Sequence, residues 1–300
     1  MAVTAAQVKE LREKTGAGMM DCKAALDSSG GDFEGAIRYL REKGLATAAK
    51  RAGKVAAEGV ILARLVSPTE GVMIELNCET DFVAKTPQFQ ELAGQLLGAF
   101  AGRTEIDGLK AASDLDLNAI KVDGGKPVAD VVAESIASMG ESLVLRRVAR
   151  FSVPAGAGAI GSYVHAGGKI GVLVEAKSGA TGAAAAEVEK VLRDVAMQIA
   201  AANPRHVKRE EVSAADVERE REIYAAQAAT SGKPAQVIER IVQGKVEKFF
   251  AEICLVEQEF IRDPSTTVGK LVQATAKTAG APIEISRFVR LQLGESSGEA

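Results

Sequence analysis

The stretch Asn77 Cys78 Glu79 Thr80 Asp81 Phe82 Val83 gathers a thiol, two carboxylates and a hydroxyl around an aromatic ring, just after the apolar run Gly71 Val72 Met73 Ile74 Glu75 Leu76. Spacing sets no Ser, Cys or carboxylate of the chain beside a general base, so covalent or hydrolytic catalysis is not expected. Gly124 Gly125 Lys126 Pro127 lacks the glycine spacing and the following hydroxyl of a phosphate loop. Gly156 Ala157 Gly158 Ala159 Ile160 Gly161 has dinucleotide-motif spacing, but that chemistry needs a helix next, and Ile160 leads into a strand; we read a turn. His165 and His206 have no metal-ligand spacing around them. The expectation is therefore no catalytic residue, no metal and no cofactor. What the 77–83 stretch offers is contact. A large aromatic in a polar turn either folds back onto its own sheet or is held out for a partner.

The elements that must position it are a strand ending near Cys78 and a helical pattern that resumes after Pro87, which put Thr80, Asp81 and Phe82 on a loop held by a sheet. Upstream, Thr4 with Gln7 forms a capping box for a first helix, which stops at Thr15 Gly16 Ala17 Gly18. A second helix runs from about Met19 to Asp27, and Asp32 caps a third carrying Phe33, Ile37 and Leu40. Residues 1–45 are thus a three-helix domain, and 46–58 a basic linker. Met19 and Met20 open the second helix; one can fill the small core, while at least one faces outward as an adaptable apolar contact.

Beyond the linker the chain repeats itself. Val60 Ile61 and Val72 Met73 Ile74 Glu75 recur as Ile160 Gly161 and Val172 Leu173 Val174 Glu175, 100 positions later. Val128, Leu145, Arg147 and Arg150 recur as Val268, Ile285, Arg287 and Arg290, 140 positions later, so the second copy holds about 40 extra residues. A helical hairpin at about 205–250 accounts for them: Ser213 caps one helix, Ser231 Gly232 Lys233 Pro234 breaks it, and a second follows. The fold class is α+β. Residues 59–153 and 154–294 are two subdomains, each with a three-stranded antiparallel sheet, and 295–300 read as a disordered tail.

Composition narrows the function. Thirty-seven basic against 40 acidic side chains give a net charge of −3, which provides no field for gripping nucleic acid. No apolar run reaches the roughly 18 to 20 residues of a membrane span, and Met1 leads into a polar helix pattern without a secretory signal. Three unpaired, widely spaced cysteines fit a reducing cytoplasm.

Two blocks, Glu75 Leu76 Asn77 Cys78 Glu79 Thr80 Asp81 Phe82 Val83 Ala84 and Thr15 Gly16 Ala17 Gly18 Met19 Met20 Asp21 Cys22 Lys23 Ala24 Ala25 Leu26, resemble the signatures of the bacterial translation elongation factor Ts family. The likeness continues through Gly161 Ser162 Tyr163 Val164 His165 and Asp263 Pro264 Ser265 Thr266 Thr267, and covers roughly residues 1–293. The resemblance implies a ubiquitin-associated-like first domain and guanine nucleotide exchange on elongation factor Tu, bound in its GDP and nucleotide-free states. It implies that Phe82 wedges into the GTPase and that Asp81, within Thr80 Asp81 Phe82 Val83, disturbs its magnesium site. Arg12, Met19 and Met20 would dock on its nucleotide-binding domain, and His165, otherwise a plain surface residue, would add a contact. A homodimer through the helical hairpin is a further expectation. Two other classes compete: a passive protein adaptor, which would leave GDP release unchanged, and an RNA-associated protein, supported only by the basic stretch Lys43 to Lys54.

Overall fold

A computed structural model describes residues 3–51, 53–230 and 234–295. The capping box forms as expected: Gln7 N donates to Thr4 Oγ1 at 3.3 Å and Thr4 N to Gln7 Oε1 at 2.9 Å, opening α1 (Ala5–Thr15). Gly16, at φ 67°, ends it. Val8 and Leu11 of α1 pack with Cys22, Ala25 and Leu26 of α2 (Met19–Ser28) and Ala36 of α3 (Phe33–Arg51).

The third helix departs from expectation. It does not end near residue 45 but runs to Arg51, through most of the segment read as a linker. The physical reason is double: Ala46 Thr47 Ala48 Ala49 Lys50 Arg51 is rich in strong helix formers, and α3 finds a surface to lie on. Gly44 brings it against α6 (Val128–Met139), where a Cβ at Gly44 would meet Ala137 Cβ at 3.5 Å, and Ala48 packs on the first subdomain's core. Two of its basic side chains are engaged within the fold: Lys43 Nζ bonds Asp21 at 2.7 Å and Arg51 Nη1 bonds Glu79 at 2.8 Å. This leaves Lys50 and Lys54, both exposed, as the remaining basic side chains of the segment that favoured RNA.

The first subdomain follows as β1 (Glu58–Ser67), β2 (Glu70–Cys78), α4 (Asp81–Ala84), α5 (Pro87–Ala99), β3 (Gly108–Ala111), α6 and β4 (Leu143–Ser152). Its antiparallel sheet has four strands rather than three, ordered β1-β2-β4-β3. The unforeseen β3 is a four-residue edge strand, too short to show an alternating pattern in the sequence. The second subdomain comprises β5 (Gly158–Val164), β6 (Ile170–Ser178), α7 (Ala183–Ala202), the arm helices α8 (Ala214–Ala229) and α9 (Ala235–Ile253), the short pair β7 (Glu259–Phe260) and β8 (Asp263–Thr267), α10 (Val268–Ala279) and β9 (Ile283–Gln292). Its three-stranded sheet runs β5-β6-β9, as expected. In the arm, Ser213 caps α8, and Tyr224 and Ala228 pack with Val242 and Val246 of α9. The predicted breaker Ser231 Gly232 Lys233 lies outside the described residues, as does the tail from residue 296 on.

The repeat is visible in the geometry. Each sheet has a bulge at the same place, after Glu75 and after Glu175. The two sheets pack face to face through Ile61, Met73, Ala149 and Phe151 against Ile160, Leu173 and Leu291, while helices cover their outer faces. Glycine is required at the repeated positions 71 and 171, because a Cβ would lie 2.9 Å from Ile160 Cγ2 in one case and 2.4 Å from Ile61 Cγ2 in the other. Two arginines, each paired with a glutamate of its own sheet, also reach across to the other half. Arg147 Nε donates to Glu75 at 2.6 Å and its Nη2 to Gln292 O at 2.9 Å; Arg287 holds Glu175 at 2.9 Å and reaches across to Asp107 at 2.7 Å. Among the described residues no helix is long and apolar enough to cross a membrane.

Candidate partner-docking site

β2 delivers the chain at Cys78, whose buried thiol donates to Thr80 O at 3.1 Å. Burial pushes this thiol up to about 11, so it keeps its proton. Thr80 then caps the single turn α4, its Oγ1 accepting from Val83 N at 3.4 Å. The segment read as a loop is therefore the first turn of a helix, because Thr80 and Asp81 are a capping residue and a first-turn acid. Thr80 is itself gripped by Glu141, donating Oγ1 at 2.6 Å and N at 3.1 Å. Next to it, Glu79 accepts from Ser142 N at 2.7 Å and from Arg51; the Ser142 amide leads in holding its carboxyl below the usual range.

These bonds sort the four residues expected on the partner-facing loop. Thr80 and Val83 are half-buried and face inward, Thr80 bonded to Glu141 and Val83 packed on the core. Asp81 bonds Lys85 Nζ at 2.6 Å, which holds its carboxyl below the usual range and ionised. Phe82 is 80 % exposed, with its ring pointing away from its own sheet. The ring is thus not folded back onto its own sheet.

His165 is exposed in the β5–β6 connection, its Nδ1 3.2 Å from Tyr163 Oη. That connection forms the far wall of a cleft of about 600 Å3 whose near wall holds Asp81, Ala84 and Lys85; Val164 and Lys169 line it beside His165. Of the residues expected to meet a partner, Asp81 lines this groove between the subdomains, while Phe82 and His165 each follow a lining residue in sequence without forming part of the wall. Arg12, Met19 and Met20 are all exposed on the first domain, the two methionines at 56 % and 75 %. Both therefore face outward, and Leu11, Cys22 and Leu26 fill the core in their place. The first domain is tied to the loop region by a short relay: Gln88 Nε2 donates to Ser138 Oγ at 2.6 Å, and Ser138 Oγ to Gly16 O at 3.1 Å.

Comparison with known proteins adds the family. The pattern described as Elongation factor TS matches residues 79–295. Elongation factor Ts of Trichlorobacter lovleyi is 46 % identical over 297 residues, 98 % of this chain and 94 % of that protein. Those of Clostridium perfringens and Magnetococcus marinus are 44 % and 46 % identical, over 98 % of this chain and 93 % and 94 % of theirs. The chain belongs to the elongation factor Ts family. Within an elongation factor Ts framework, the residues that sequence reasoning missed are Glu79, Glu141, Arg51 and Ser138. Arg51, Glu141 and Ser138 act from 28 to 122 positions away, and no local pattern announces them.

Proposed function

We propose that this chain drives GDP off elongation factor Tu by inserting Phe82 into the GTPase while Arg12, Met19 and Met20 hold the two proteins together. The chain is a guanine nucleotide exchange factor for elongation factor Tu in translation elongation, as its family membership establishes. The observation that carries the finer reading is the exposure of Phe82 on a turn whose neighbours are all bonded. A side chain so presented loses little entropy on insertion.

A translational GTPase grips GDP through its phosphates and a bridging magnesium ion. An exchange factor that binds the nucleotide-free partner more tightly than the GDP form must weaken GDP by the same factor. Phe82 supplies the steric wedge, and ionised Asp81 beside it brings negative charge toward the partner's magnesium site. His165, across the groove, adds a contact from the second subdomain. No covalent bond forms or breaks on this chain; cellular GTP refills the emptied site in the cytoplasm. The test is release of fluorescent GDP from elongation factor Tu with increasing amounts of this protein. Saturable acceleration supports exchange; detectable binding without acceleration returns the reading to an adaptor.

The arm formed by α8 and α9 carries its own small core and is a candidate for pairing two copies of the chain. Light scattering on a variant lacking 205–250 tests this, since a mass per particle of one chain in both proteins rejects the dimer.

A further inference from the structure

We propose that Glu141 is a positioning residue for nucleotide exchange: its carboxylate sets the direction in which Phe82 is presented. The proposal rests on the wedge reading of Phe82 and adds to it the group that aims the wedge.

The argument starts from α4, which has four residues. A single turn does not hold itself together in water, so its geometry is imposed from outside. The imposing residue is Thr80, whose hydroxyl accepts from Val83 N and therefore fixes the turn that carries Phe82. Thr80 in turn is fixed at two atoms by one carboxylate, Oγ1 to Glu141 Oε1 at 2.6 Å and N to Glu141 Oε2 at 3.1 Å. This two-point grip resists rotation about the Thr80 backbone in a way that one bond would not.

The location of Glu141 points the same way. It directly follows Gly140, which ends α6 at φ 75°. The carboxyl end of a helix disfavours a carboxylate, so an acid here needs compensation, and the two Thr80 donors supply it. The next residue, Ser142, donates its amide to Glu79, which also binds Arg51 at the end of α3. The turn at 140–142 thus touches both the wedge loop and the helix that carries the docking domain.

The experiment measures fluorescent GDP release by the full chain as a function of its concentration, separating maximal rate from half-saturating concentration. Glu141→Ala is expected to lower the maximal rate roughly tenfold, the equivalent of losing one charge-assisted grip, with little change in half-saturation. Glu141→Gln, which keeps one acceptor of the same shape, restores part of the rate. Thr80→Val removes the hydroxyl bond from the other side and reproduces the loss should Glu141→Ala fold poorly. In a Phe82→Ala background, Glu141→Ala should cost nothing further, because it acts through that ring. A further loss there, or parental maximal rates for both Glu141→Ala and Thr80→Val, overturns the positioning role alone. Parental release by Phe82→Ala itself overturns the wedge and this proposal together.

Discussion

Replacing Phe82 by alanine separates folding from function, because the ring touches so little of its own chain. With 80 % of the residue exposed, the substitution removes almost no native packing, and the thermal midpoint should stay within about 1 °C of the parent. The same exposure sets what a partner gains. Full burial of a Phe side chain stabilises by about 1.5–3 kcal/mol, so covering the exposed four-fifths is worth about 2 kcal/mol. If that stabilisation is realised mainly when GDP has left, it appears in the maximal rate of release, as a loss of roughly 30-fold. Stopped-flow release of a fluorescent GDP at saturating protein measures it. A parental maximal rate for Phe82→Ala would refute the wedge. A fall of several degrees in the melting midpoint would refute the claim that the ring is free of its own fold.

Other outcomes follow from the same structure. Met19→Ala with Met20→Ala should weaken association at least tenfold by titration calorimetry while leaving the saturated rate near parental, since both side chains are exposed and neither supports the small core; unchanged affinity removes the docking patch. Glu75→Ala strands the buried Arg147 guanidinium and should cost about 3–5 kcal/mol in urea unfolding; a change below about 1 kcal/mol would mean that the pair does not hold β2 to β4. Cys78 and Cys254 have thiols pushed up from 9.0 to about 11 by burial. A raised folded value means that their contribution is fully present below pH 9 and is lost as pH rises toward 11, because only the unfolded thiols ionise in that window. Thermal melts should fall across pH 9–11, and less steeply in Cys78→Ala with Cys254→Ala; parallel slopes would exclude the thiols as the cause.

Much of the architecture was legible because it is local. The Thr4–Gln7 capping box, the start of α8 after Ser213 and the doubled strand pattern at a spacing of 100 all depend on residues within one element or on direct repetition. Phe82 and the methionine pair were legible as out of place in their local setting, large apolar groups among turn residues. The misreadings have one cause. Helix α3 continues past residue 45 because α6 offers a surface for Gly44 and Ala48, and β3 exists because β4 offers it an edge; neither partner is nearby in sequence.

The helical first domain, the two repeated halves, the arm and the residues that stand out from their local pattern are each written in periodicity, capping chemistry or repetition, and so were readable before any fold was known. Which way those residues face depends on contacts between distant parts of the chain. Phe82 points outward, and Thr80 inward, because Glu141, 61 positions later, arrives to accept two hydrogen bonds from Thr80. Such a contact costs chain entropy to close and leaves no trace in the composition around either residue, so it becomes visible only once the fold has brought the two together.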